Sequence, residues 1–170
     1  MKFYKPEIRR ILFANDFSET ANRAFGYAAG LADAHEASIT ILHVLEKLPS
    51  ESEWMAVLLE GVESVEDLQK KSNSEILQRV KSHIEQYCTA FNGQFPACRL
   101  MVEAVIVEEG EPVKRILHHA HTGGYDMLVM GSRGYGLIRG ILTGSTSQSM
   151  VRECRIPVFI VPPDEKKESL

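Results

Sequence analysis

Apolar and polar residues fall along this chain in blocks, and the blocks alternate between two periods. Arg9 to Asn15 (RRILFAN) is a short apolar run closing on polar residues, the pattern of a buried strand. Asp16-Phe17-Ser18 follows, and Ser18 predicts a helix N-cap. Ala21, Ala24, Phe25, Ala28, Leu31 and Ala32 then recur at helical spacing, which predicts a first helix ending near His35. Ser38 to Val44 (SITILHV) is rich in β-branched residues and predicts a second strand. Leu45 to Lys71 is charged with an apolar island at Trp54 to Leu59, and reads as a short helix or a mobile lid. Ile76, Leu77, Val80, Ile84, Tyr87, Cys88 and Phe91 mark one face of a long helix that Asn92-Gly93 ends.

Leu100 to Val107 predicts a third strand. Gly110-Glu111-Pro112 turns the chain, with Pro112 suited to a first helical position. Val113, Ile116, Leu117 and Ala120 form the buried stripe of that helix, and Gly123-Gly124 stops it. Asp126 to Met130 predicts a fourth strand, followed by a glycine-rich loop and a helix from Ser145 to about Glu153. Ile156 to Val161 predicts a fifth strand, and the charged tail at 164–170 a frayed end. Strand-helix alternation of this kind implies a parallel sheet with helices on both faces. Five nearly continuous apolar strands fit a sheet covered on both sides. The expected fold is therefore α/β, a doubly wound, Rossmann-like five-stranded parallel sheet in one domain of 170 residues.

Composition narrows the function. A net charge of -4 argues against a general nucleic-acid binder, which needs a basic field. No apolar run is long enough to span a bilayer, and residues 1–10 lack the apolar stretch of a signal peptide. Cys88, Cys98 and Cys154 are odd in number and contain no C-x-x-C pair, so neither a disulfide framework nor a zinc site is expected. These features point to the cytoplasm.

The candidate chemistry lies after the fourth strand. Gly131-Ser132-Arg133-Gly134 is followed nine residues later by Gly144-Ser145, which opens the last helix. Glycine lets backbone approach a ligand closely. The first-turn N–H groups of a helix are unpaired and partly positive, so Gly144, Ser145 and Thr146 would face a phosphate. Arg133 and Arg139 could add charge-assisted bonds. The loop is neither a Walker A motif nor the dinucleotide glycine fingerprint. It equally reads as structure: Ser145 with Gln148 makes a capping box, and Gly134 to Gly140 a flexible surface loop. Location favours the ligand, because doubly wound sheets bind beyond the strand ends where strand order reverses. With strands one and four as neighbours, Asp16 faces Gly131 there and would accept a bond from a ribose hydroxyl; a helix-capping or loop aspartate is the alternative.

The pattern Gly-x2-Gly-x9-Gly-Ser/Thr, here Gly131, Gly134, Gly144 and Ser145, resembles the nucleotide-binding signature of the universal stress protein family. Ile11 to Ser18, Leu42-His43-Val44, Gly110-Glu111-Pro112, Asp126 to Gly134 and Ile156 to Val161 are similar to the family's landmarks in order. The likeness spans nearly the whole chain except the variable segment at 47–73. It implies strand order 3-2-1-4-5 and a homodimer, often paired through the last strand (156–161). It implies ATP as ligand with a divalent cation, Mg or Mn, at the phosphates. The implied site is Ala14, Asn15, Asp16, Val44, Met130, Gly131, Arg133, Gly134, Gly144, Ser145 and Thr146, with adenine near Val44, ribose near Asp16 and phosphates along Gly131 to Gly134 and Gly144 to Thr146. Ala14-Asn15 departs from the proline-threonine common before the aspartate.

Three functions follow. The first is a nucleotide-binding regulatory protein with at most slow hydrolysis, since no base lies beside the loop. The second is a slow ATPase or phosphotransferase using Asp16 and Arg133. The third is a dimeric interaction module in which the loop is structural. His118 and His121 share a helix face, but no further ligand is indicated and a solvated helix end is expected. His43 reads as a packed or hydrogen-bonded strand histidine. The patch around Trp54 reads as core or a dimer contact.

Overall fold

The computed structural model describes residues 5–45, 102–132 and 144–164, together with Gln78, Ser82, Glu85, Gln86, Cys88, Thr89, Ala90 and Gly93. Within these residues run β1 (Arg10–Asn15), α1 (Glu19–His35), β2 (Ser38–Leu45), β3 (Val102–Glu109), α2 (Pro112–Thr122), β4 (Met127–Gly131), α3 (Ser145–Glu153) and β5 (Val158–Val161). The strands form one sheet in the order β3-β2-β1-β4-β5, parallel at every pairing. This is the doubly wound arrangement that the alternating pattern implies.

The pleat of β1 explains the two layers. Ile11 and Phe13 point to one face and join Phe25, Ala28 and Ala32 of α1 with Ile39, Ile41 and Val129. Leu12, between them, points the other way and joins Ile116 and Ala120 of α2, Met150 of α3, Leu42 and Leu128. All three β1 residues are buried, a contribution of about 1.5–3 kcal/mol each. The sheet side of α1 carries Ala21, Ala24, Ala28 and Ala32, small residues that let the helix axis lie close to the strands. Helices thus cover both faces. Cys88 packs into the α1 layer, and the described residues around it are helical, with the Thr89 hydroxyl donating to the Glu85 carbonyl at 2.9 Å.

Both ends of α1 carry recognisable chemistry. The Ser18 hydroxyl accepts from the Ala21 N–H at 3.0 Å, the N-cap expected from sequence. Glu36 closes the helix at φ 53°, and the Ala37 N–H returns to the Ala32 carbonyl at 2.8 Å. At the amino ends of the strands, Asp126 accepts from the N–H groups of both Arg9 and Arg10 at 2.9 Å, which locks the start of β4 against β1.

Strand limits shift from the sequence reading for physical reasons. β3 runs on to Glu109 because its ladder follows β2 through the pairs Val44 with Glu108 and Leu45 with Glu109, beyond the apolar run. β5 starts at Val158, not Ile156, because Pro157 has no N–H to give the ladder; its carbonyl still accepts from Leu128 at 2.9 Å. The segment 47–73, the patch around Trp54, Cys98, Arg139 and the apolar positions at 76, 77, 80, 84, 87 and 91 lie outside the described residues, as does the tail after Asp164. Among the described residues no helix is long and apolar enough to cross a membrane.

Candidate functional site

The sheet order makes β1 the switch point. The chain leaves β1 toward β2 on one side, while β4 pairs on its other side and leads to β5. Helices α1 and α3, which follow β1 and β4, pass to opposite faces. In doubly wound sheets such a switch point is where a ligand crevice lies, here beyond the carboxyl ends of β1 and β4. The register sets Ala14 beside Met130, and Asn15 beside His43 of β2.

The β1–α1 turn forms one wall. The Asn15 side chain accepts from the Phe17 N–H at 3.1 Å, and Phe17 sits at φ 61°. Asp16 Oδ1 accepts from the Ser18 N–H at 3.0 Å and the Ser18 hydroxyl at 2.7 Å. Two interlocked side-chain turns thus shape four residues. Asn15 is buried and Asp16 exposed. The local role that the sequence allows Asp16 is therefore present, and its exposure leaves it accessible to a ligand.

The end of β4 and the start of α3 form the opposite wall. Gly131 lies so close to α1 that an added Cβ would meet Thr20 Cγ2 at 3.0 Å and the Ala21 nitrogen at 3.2 Å. The Ser132 carbonyl accepts from the Gly144 N–H at 2.7 Å and from the Ser147 hydroxyl at 3.0 Å. That hydroxyl also lies 2.9 Å from the Gly144 carbonyl. The two ends of the glycine-rich loop are thereby held together. Ser132 Oγ is buried without a hydrogen-bond partner among the described residues.

One part of the sequence reading needs correction. Ser145 does not cap α3. Gly144 occupies the N-cap position, with no cap side chain to satisfy the first-turn N–H groups, so the capping box of Ser145 and Gln148 is absent. Ser145 is exposed and Thr146 partly so. Among the described residues no N-cap side chain satisfies the first-turn donors of α3, the groups an anion can use.

Ala14, Val44 and Met130 pack on the same side of the sheet, in the layer of α2 and α3. Of the expected site residues that the structure describes, Ala14, Asn15 and Val44 lie at the carboxyl ends of β1 and β2, Asp16 directly after β1, Met130 and Gly131 at the end of β4, and Gly144, Ser145 and Thr146 at the start of α3. Arg133 and Gly134 lie outside the described residues.

Sequence reasoning missed the Ser147 clasp, although a serine three residues beyond a helix-opening glycine is a usable signal. His43 is hydrogen-bonded as expected: its Nδ1 lies 2.7 Å from the Asn15 carbonyl. Burial pushes its pKa below the ordinary histidine value, against the opposing pull of that carbonyl and of the Asp16 charge. On α2, His119 stands 3.0 Å from Glu108, a neighbouring carboxylate the sequence did not indicate. His121 Nε2 accepts from the Arg155 N–H at 3.2 Å. Among the described residues no group of three His, Cys, Asp or Glu side chains could hold a metal ion.

Comparison with known proteins agrees with this geometry. Residues 7–162 match the model of the universal stress protein family. Universal stress protein MJ0577 of Methanocaldococcus jannaschii is 26% identical over 157 residues, covering 90% of this chain and 94% of its own. Universal stress protein YxiE of Bacillus subtilis is 27% identical over 154 residues, covering 89% and 97%. The solved structure of MJ0577 superposes with a TM-score of 0.67 at 21% identity, covering 94% of this chain and 99% of its own. A family member from Arabidopsis thaliana, solved with AMP bound, gives 0.58 at 18% identity and covers 94% of each chain. A universal stress protein solved in complex with cAMP gives 0.53 at 20% identity, covering 92% of this chain and 98% of its own. With its sheet order, its crevice and a family match running from residue 7 to residue 162, the chain belongs to the universal stress protein family.

Proposed function

We propose that this chain binds ATP in the crevice between β1 and β4 and works as a regulatory stress-response protein rather than a fast enzyme. The observation that carries the reading is the start of α3. Gly144 leaves the first-turn donors of α3 without a cap side chain, and the exposed Asp16 follows β1, the strand beside β4. An uncapped helix end favours phosphate, and an exposed carboxylate favours a ribose hydroxyl. Ala14, Val44 and Met130 supply an apolar seat for the base. The relatives solved with AMP and cAMP support adenine as that base.

Magnesium or manganese would be held mainly by phosphate oxygens, with the hydroxyls of Ser145 and Thr146 close by. Its chemistry there is charge neutralisation. Asp16 Oδ1 is already engaged by both donors of Ser18, which disfavours a role as general base and favours slow turnover. A homodimer paired through β5 is part of the same proposal. That strand is the edge of the described sheet, and its exposed Phe159 packs against the exposed Tyr27 with ring centroids 5.8 Å apart. The proposed setting is the cytoplasm.

The test is thermal melting with magnesium and ATP, ADP, AMP or cyclic AMP, beside a Gly144→Val variant. At a hundred times Kd, binding adds about 2.7 kcal/mol. For a chain of this size that raises Tm by roughly 5–10 °C. The expected result is an ATP-selective shift that Gly144→Val abolishes. No shift with any nucleotide, in protein shown to carry none from purification, overturns the proposal.

A further inference from the structure

His43 stands at the carboxyl end of β2, beside the turn that carries Asp16. Its Nδ1 lies 2.7 Å from the Asn15 carbonyl oxygen, which can only accept, so Nδ1 carries the proton and donates. Its Nε2 is buried and has no hydrogen-bond partner among the described residues. The Phe17 ring meets the imidazole edge-on, with centroids 4.6 Å apart and planes at 61°. Phe17 also holds φ 61°, a conformation that residues with a Cβ rarely adopt. His43 therefore touches the residue before Asp16 and the residue after it.

A histidine is an expensive choice for this position. The other inward residues on that face of β2 are Ile39, Ile41 and Leu45, which pack with no polar atom to satisfy. An imidazole buried with one nitrogen unpaired is unfavourable beside a well-packed aliphatic side chain. Its presence there points to something the aliphatic residue lacks, a directed donor. Among the described residues the hydrogen bonds of Asp16 itself run only to Ser18, so they orient the carboxylate relative to α1. The bond from His43 ties the turn to the sheet.

We propose that His43 is a positioning residue for the ribose: gripping Asn15 and Phe17 from the neighbouring strand, it fixes the Asp16 carboxylate where a ribose hydroxyl is bound. The inference rests on the nucleotide reading above. His43→Leu removes the donor and keeps apolar bulk. His43→Asn restores it, because the asparagine Nδ2 falls near the place of the imidazole Nδ1.

Three measurements test it. In the unmodified protein, long-range nitrogen–proton spectra should show the Nδ1–H tautomer of His43; the Nε2–H tautomer overturns the proposal without any variant. In nucleotide-free protein, amide exchange at Phe17 and Ser18 should speed up by roughly tenfold in His43→Leu and recover in His43→Asn, the scale of losing one local hydrogen bond. Unchanged exchange in folded His43→Leu overturns it. Finally, the unmodified protein should prefer ATP over 2′,3′-dideoxy-ATP by about tenfold, the worth of one charge-assisted bond. In His43→Leu that preference should vanish while dideoxy-ATP affinity stays nearly constant, and in His43→Asn it should return. Survival of the preference in His43→Leu overturns the proposal. Binding of neither nucleotide by the unmodified protein overturns the ribose role together with the nucleotide reading, and the exchange result still decides whether His43 holds the turn.

Discussion

Replacing Gly131 with alanine should destabilise the protein by about 1–2 kcal/mol, although most of the usual reasons for a glycine are missing there. Its φ lies outside the left-handed region, so alanine fits the backbone torsions. Fixing a less flexible unfolded chain would by itself stabilise by about 0.4–1 kcal/mol. Space decides the sign. The new methyl would lie 3.0 Å from Thr20 Cγ2 and 3.2 Å from both the Ala21 nitrogen and the Thr20 carbonyl carbon. The first is a movable methyl; the other two are backbone of the first turn of α1. That turn is held by the Ser18 cap and by the buried Ala21 and Ala24. It must retreat by a few tenths of an ångström, and overpacking of this kind costs about 1–3 kcal/mol.

Gly26 and Gly30 supply the contrast. Both lie on the exposed side of α1, and an added Cβ meets nothing within 4 Å at either. Each alanine substitution there should stabilise by about 0.8–1 kcal/mol through helix propensity alone. Calorimetric melting and urea titration of the three variants check the reasoning. At roughly 2–4 °C per kcal/mol, Gly131→Ala should melt about 2–8 °C lower and Gly26→Ala about 2–4 °C higher. A Gly131→Ala protein as stable as the parent, with Gly26→Ala behaving as stated, would refute the close-approach argument.

Two further outcomes follow from the same turn. Ser18→Ala removes the acceptor of the Ala21 N–H and should cost about 1 kcal/mol, seen as a lower urea midpoint at constant slope; an unchanged midpoint contradicts the capping role. His43 has its folded pKa lowered from the ordinary 6.5, first by burial, with the Asn15 carbonyl and the Asp16 charge opposing. Below that ordinary value the unfolded chain takes up a proton that the folded chain resists. Stability is therefore complete above about pH 6.5 and falls as pH drops toward the lowered folded value. Urea midpoints from about pH 8 down to about pH 5 should fall more steeply in the parent than in His43→Asn; equal slopes would assign the titration to other groups.

Much of this was legible from residue order alone. Five apolar runs separated by helical stripes dictate a parallel sheet, and the Ser18 cap can be read from its place just ahead of the alanine stripe. The strand ends and the glycine-rich stretch could be placed because both are one-dimensional signals; a nucleotide at them is what the family resemblance implies. Contacts between strands are not. The bond from His43 to Asn15 joins positions 28 apart, and only the β1–β2 register reveals it. Ser145 misled as a cap because serine and glycine both suit that position, and the choice depends on where the Ser132 carbonyl and the Ser147 hydroxyl meet. The extra length of β3 was hidden because glutamates can continue a ladder that hydropathy says has ended.

The clasp at Ser132 has a wider consequence. Gly144 and Ser147 bring the departure and return points of residues 133–143 to within one hydrogen bond of each other. The frame is thus closed at Ser132 and Gly144 whatever joins them. Lengthening a flexible connection between fixed ends costs only about 0.6 kcal/mol per doubling. Insertions between these two residues should therefore leave the sheet, its two apolar layers and the β1–α1 turn with their own stability.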